Sequence, residues 1–128
     1  MSMDGDRARA YLLSKPEAAE DFPFGPDAAV FKIRDKLFAI LIYVDGVARI
    51  NLKCDPQQAL ILRDVYAAVI PGYHMNKRHW NTVILNASIP DAEIKAMIDH
   101  SYALVVKGMK KTLRSSLELM HGSGEIYK

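Results

Sequence analysis

Residues 29–53, AVFKIRDKLFAILIYVDGVARINLK, decide the fold. The stretch divides into three strand-like runs, Ala29 to Ile33, Leu37 to Tyr43 and Ala48 to Lys53. Arg34-Asp35-Lys36 separates the first two. Asp45-Gly46 separates the second from the third, and this pair favours a tight hairpin because both residues tolerate positive φ. Three strands joined in this way predict an antiparallel meander. Phe31 and Ile33 alternate with Lys32 and Arg34, and Ala48, Ile50 and Leu52 alternate with Arg49, Asn51 and Lys53. Successive side chains on a strand point to opposite faces, so the pattern predicts one apolar and one basic sheet face.

On the N-terminal side, Asp4 reads as the cap of a helix from Gly5 to Ser14, with Ala8, Tyr11 and Leu12 on one face and Pro16 closing it. Glu17 to Asp27 carries Pro23, Gly25 and Pro26 and reads as an ordered loop anchored by Phe22 and Phe24. On the C-terminal side, Asp55 followed by Pro56 starts a second helix containing Ala59, Leu60, Leu62, Arg63 and Tyr66, which ends before Pro71. Pro71-Gly72 is a turn dipeptide and His79 to Leu85 has strand composition. Met75 to Arg78 therefore forms a hairpin tip that places Lys77 and Arg78 in solvent. Pro90, Asp91 and Glu93 open a third helix, whose Ile94, Met97, Ile98, Tyr102 and Val105 make a core-facing stripe. Gly108 interrupts it. Lys110 to Met120 forms another helix with Leu113, Leu117 and Met120 on one side, and His121-Gly-Ser-Gly124 reads as flexible.

The order α-β-β-β-α-β-β-α predicts an α+β protein with an antiparallel sheet and helices on one side. Residues 4–111 form its single domain, and residues 112–128 a helical extension with a flexible tail.

Half of the 128 residues are apolar, enough for one ordinary core. Residues 1–27 hold three Lys/Arg against six Asp/Glu, residues 28–90 eight against four, and residues 91–128 six against five, for a net charge of +2. So small an excess does not mark a nucleic-acid protein, and any anion-binding face must be local. Cys54 is the only cysteine, which excludes an intrachain disulfide and a thiolate metal cluster and points to a reducing, cytoplasmic setting. Asp4, Asp6, Arg7 and Arg9 interrupt the apolar core that a signal peptide needs, and no window reaches the roughly 18 apolar residues of a membrane span. No export leader and no membrane partner are expected.

Pro71 to Val83 is the most chemically loaded stretch. His74 and His79 have neither a cysteine nor paired carboxylates beside them, so no metal site is expected. Cys54 reads as a buried structural thiol rather than a reactive one. There is no Gly-x-Ser-x-Gly elbow, phosphate-cradling loop or His-Glu-x-x-His helix, so no enzyme activity, catalytic residue or cofactor is expected. Trp80 suits either stacking on a base or, more commonly, a large core position. The cations available to an anionic partner are Lys32, Arg34, Arg49 and Lys53 on the sheet, Lys77 and Arg78 on the hairpin, and Lys107, Lys110, Lys111 and Arg114 near the end of the third helix. Without a recognition helix, little base readout is expected.

Phe22-Pro23-Phe24-Gly25, Val30-Phe31-Lys32, Lys36-Leu37-Phe38-Ala39, Asn51-Leu52-Lys53-Cys54, the whole of Pro71 to Val83, and Ser101-Tyr102 occur in an order that resembles the MmcQ/YjbR family over roughly residues 5–111. The resemblance implies a CyaY-like fold, also similar in element order to secretion chaperones, and DNA binding through paired wing-like hairpins. It places Lys77, Arg78 and His79 at the basic tip and Trp80 at the motif's aromatic position. The expected function is therefore binding of double-stranded DNA, with phosphate contacts from Lys77, Arg78, His79, Lys32, Arg34, Arg49, Lys53, Lys110 and Lys111. The alternative is a protein-interaction or chaperone-like module, in which a sheet edge or face docks another chain or a second copy as a homodimer. Residues from Thr112 onward lie beyond the family boundary.

Overall fold

A computed structural model describes residues 2–128. The elements are α1 (Gly5–Leu13), β1 (Ala19–Asp21), β2 (Ala28–Ile33), β3 (Lys36–Val44), β4 (Val47–Lys53), α2 (Pro56–Val65), β5 (Val69–Pro71), β6 (Trp80–Ile84), α3 (Asp91–Lys107), α4 (Lys111–His121) and α5 (Ser123–Ile126). The six strands form one antiparallel sheet in the order β1-β2-β3-β4-β6-β5. The predicted meander is its centre. Both of its turns contain two residues at positive φ, Arg34 and Asp35 in one and Asp45 and Gly46 in the other, which matches the right-handed twist of the flanking strands.

One irregularity in this meander shapes the core. Phe31 pairs with Ala39 but Lys32 pairs with Leu37, so Phe38 is an extra residue in β3. Phe38 turns into the interior, where its ring meets Tyr102 of α3 edge-on at 5.3 Å. Around that contact Leu12, Phe31, Ile33, Ile50, Ile98 and Val106 are fully buried, so the core lies between the sheet and the helices. α3 rests on β3 and β4, and α2 on β5 and β6. Asp55 caps α2 by accepting from the Gln58 N–H at 3.2 Å, with Pro56 in the first turn, and the α3 stripe is buried as its spacing requires.

Several expectations need correction. Ala19–Asp21 is a strand that covers the free edge of β2, and Phe22 and Phe24 are exposed beyond it instead of anchoring a loop. The Pro and Gly residues break regular structure only after Asp21. Met120 points to solvent, and the expected flexible tail contains α5, whose Ile126 is fully buried in the core with Leu117. The face opposite the helices is mixed instead of uniformly basic, with Arg49 and Lys53 set among apolar and neutral polar neighbours. Val30 and Ile40 are buried there outside the main core, Asn51 and Thr82 are buried beside them, and Lys32 is drawn to Asp21. Central strands shield one another's short side chains, so alternation with a few cations does not produce a charged surface.

Candidate nucleic-acid interface

Because every neighbouring pair is antiparallel, the Arg34-Asp35 turn, the end of β4 and the 72–79 loop between β5 and β6 all lie at one end of the sheet. Two hairpins thus project from the same end, separated by about three strand spacings, or roughly 15 Å. The second half of α3 reaches this end too. The Ser101 hydroxyl donates to the Phe38 carbonyl at 2.6 Å and accepts from the Lys53 N–H at 2.9 Å. Lys110 and Lys111 follow that helix and open α4, which runs toward the Arg34 turn.

The 72–79 loop is built rather than loose. Gly72 N–H donates to the Trp80 carbonyl, and a Cβ at Gly72 would lie 2.7 Å from the Trp80 Cβ and 2.8 Å from its carbonyl oxygen. Met75 N–H donates to the Gly72 carbonyl, and the Asn76 side chain accepts from the Arg78 N–H at 3.0 Å. His74 has φ 58° and its ring lies against Tyr73. From below, the Arg63 guanidinium on α2 donates to Asn81 Oδ1 at 2.7 Å and to the carbonyls of Lys77 and Trp80. Arg63 was visible in the sequence only as a polar residue in an apolar helix pattern, and the pattern gave no hint that it braces this loop.

The expected cations do not form one strip. Lys77 and Arg78 are exposed and their side chains have no carboxylate partner among the described residues; His79 is half-buried beside them. Lys53 is half-buried, lies opposite Trp80 across the β4–β6 ladder and is also unpaired. Lys110 and Lys111 are exposed and unpaired on the helix side of the same end. Arg34 is engaged: it donates to Glu17 at 3.0 Å and to the Ser116 hydroxyl at 3.1 Å, while His121 lies 2.6 Å from the same carboxylate. These hydrogen bonds hold the Glu17 carboxyl down at about 2. Lys32 faces Asp21 at 3.8 Å, and Arg49 lies mid-face with a buried Nε that has no hydrogen-bond partner. Lys53, Lys77 and Arg78, with Lys110 and Lys111 beyond them, are therefore the unpaired lysines and arginine of the expected set at this end of the sheet.

No cluster of three or more His, Cys, Asp or Glu able to hold a metal is present among the described residues, and the His74 ring lies tilted against Tyr73. Cys54 is buried, and desolvation pushes its thiol up to about 11. No helix among the described residues is long and apolar enough to cross a membrane.

A six-stranded antiparallel sheet with its helices on one face, and a braced loop at one sheet end, defines an α+β protein of a recognised type. The crystal structure of a Deinococcus radiodurans protein with the DUF419 domain superposes with a TM-score of 0.82 at 33% identity, covering 91% of this chain and 88% of that one. A Pseudomonas syringae protein gives 0.72 at 33% identity over 80% of this chain and 99% of its own. The YjbR family model matches residues 13–104, and the chain belongs to the YjbR family. It is 41% identical to the uncharacterised protein YbdF of Escherichia coli O157:H7 over 83% of this chain and 87% of that protein. It is 35% identical to the uncharacterised protein YjbR of Escherichia coli K12 over 84% and 91%.

Proposed function

We propose that this YjbR-family member is a cytoplasmic, non-enzymatic protein that binds double-stranded DNA through its phosphate backbone, with the two hairpins at one sheet end acting as paired wings. The observation that carries the reading is the grouping, at that end and without carboxylate partners, of Lys53 at the end of β4 with Lys77 and Arg78 on a loop held by Arg63 and Gly72. Lys110 and Lys111 extend the contact. Arg34, Lys32 and Arg49 are removed from the expected set, because the first two are ion-paired and the third lies within the sheet face. Phosphate contacts of this kind position a duplex without reading its sequence.

A labelled duplex titrated at two salt concentrations tests this. Binding is expected in the 10⁻⁴ to 10⁻⁶ M range typical of nonspecific association, with a log-log salt slope of roughly −0.9 per phosphate contact. The Lys77→Ala, Arg78→Ala pair is expected to flatten that slope by about 1.8 while leaving folding intact. Unchanged affinity in the folded double variant overturns the proposal. One observation favours a protein-docking reading in that event: α2 leaves Leu60, Ile61 and Val65 exposed on its outer side. Sedimentation at several concentrations then distinguishes self-association from monomer.

A further inference from the structure

α3 rests on β3 and β4 and α2 on β5 and β6, and a slot remains between the two helices. It is a cavity of about 550 Å³, within the range of small-molecule sites. Leu52 of β4 and Val83 of β6, both almost fully buried, form its floor, and Leu62 of α2 and Met97 and Leu104 of α3 form its sides. From Glu93 to His100 the α3 wall runs nearly two turns, about 10 Å, which matches a two-ring body with a short arm.

The lining carries no consistent charge. Asp55 and Glu93 border the cavity from the starts of helices that begin at opposite ends of the sheet, so they do not converge, and Asp55 is already the cap of α2. The influence of Asp55 is opposed by Arg63 at the Cys54 thiol and by Lys107 at the His100 imidazole. Cys54 and His100 both line the cavity, and burial is the largest influence on each. It raises the thiol to about 11 and lowers the imidazole's affinity for a proton, so both side chains are neutral at pH 7. A charged ligand gives up its hydration in the same surroundings without a dedicated counter-ion, whereas a neutral one does not.

The neutral groups still select. His100 Nε2 accepts from the Asp55 N–H at 3.5 Å, which leaves the proton of the neutral ring on Nδ1, and no acceptor among the described residues takes it. The Cys54 thiol, one residue before that N–H, is a second and weaker donor. Donors at this end call for an acceptor on the ligand.

We propose that the cavity between α2 and α3 binds a neutral small molecule, a flat apolar ring system carrying an amide or ketone carbonyl, with the rings on Leu52 and Val83 and the carbonyl oxygen at His100. The site stands whether or not the protein binds DNA.

Indole-3-propionamide, indole-3-propionate and tryptamine share a ring and differ in charge, and 3-methylindole is neutral but lacks the carbonyl. All four serve as probes in an amide-resolved NMR titration of the full chain. The amide is expected to give saturable shifts centred on residues 52–55 and 96–100, and to bind at least about fivefold more tightly than either ion. His100→Phe keeps a ring and removes the donor, and is expected to weaken the amide about fivefold while leaving 3-methylindole unchanged. Ala96→Trp and Gln58→Trp, at exposed positions on the two facing walls, are each expected to abolish the shifts while the rest of the spectrum is retained. Absence of saturable shifts with the amide overturns the proposal. So does either ion binding as tightly as the amide, an amide affinity indifferent to His100→Phe, or shifts that survive in a folded Trp variant.

Discussion

The Thr82 hydroxyl donates to Asn51 Oδ1 at 2.6 Å, joining two buried residues that face each other across β4 and β6. The same pair holds the backbone of Tyr73. Its N–H donates to Thr82 Oγ1 at 2.9 Å, and its carbonyl accepts from Asn51 Nδ2 at 3.2 Å. The loop bearing Lys77 and Arg78 therefore starts from a buried polar clamp. Thr82→Val keeps the shape and removes the hydroxyl, leaving Asn51 Oδ1 and the Tyr73 N–H unpaired. It is expected to lower stability by about 1–3 kcal/mol in urea unfolding and to speed amide exchange at Tyr73. Unchanged exchange at Tyr73 would show that the clamp does not hold the loop.

Gly72 sets the other side of the same loop. Because a Cβ there meets the backbone of Trp80 and not the end of a flexible side chain, Gly72→Ala must push the two strands apart. Overpacking of this sort costs about 1–3 kcal/mol. The variant is expected to lose stability and to weaken duplex binding together, whereas Lys77→Ala weakens binding alone. Denaturation and anisotropy on the same samples separate the two patterns.

These two clamps explain how much the sequence disclosed. The meander, the Asp55–Pro56 helix start and the α3 stripe rest on local rules, turn chemistry and period, and a single chain carries them in full. Lys77 and Arg78 were placed in solvent by the Pro71-Gly72 turn and the strand that follows. What stayed hidden depends on partners distant in sequence. Arg34 reads as a free sheet cation until Glu17 and His121, the latter 87 residues away, are brought against it. The same holds for β1, whose pairing with β2 is invisible in a three-residue segment, and for Ile126, whose burial depends on how α4 delivers it.

Lys15 is almost fully buried, with its ammonium 2.7 Å from Asp99 and 5.2 Å from the centre of the Tyr102 ring. Tyr11 also donates to Asp99 at 2.7 Å, and burial, with this bond added, pushes its phenol up to about 12. Removing only the carboxylate strands a buried cation, at a cost of about 3–5 kcal/mol, while replacing the cation with an apolar chain of similar length costs far less. Asp99→Ala is thus expected to destabilise much more than Lys15→Met, as read from urea midpoints. Equal effects would mean that Lys15 is solvated more freely than its burial implies.

Glu17 links the acid response of the fold to the proposed interface. Its hydrogen bonds from Arg34 and His121 hold its carboxyl at about 2 against an ordinary 4.5. A carboxylate whose folded value is depressed stabilises the protein above its unfolded value and loses that contribution as pH falls through the folded one. The stability difference between the protein and Glu17→Gln is therefore expected to be present at about pH 5 and to shrink as pH falls between 4.5 and 2. Its size is modest because the pair is still partly solvent-accessible. Urea titrations at stepped pH measure it, and a difference that does not change across that interval would show that the ion pair does not persist in solution. The substitution has a second consequence at neutral pH. Releasing Arg34 adds a cation to the sheet end that carries Lys53 and Lys77, so Glu17→Gln is expected to tighten duplex binding and steepen its salt dependence by up to about 0.9.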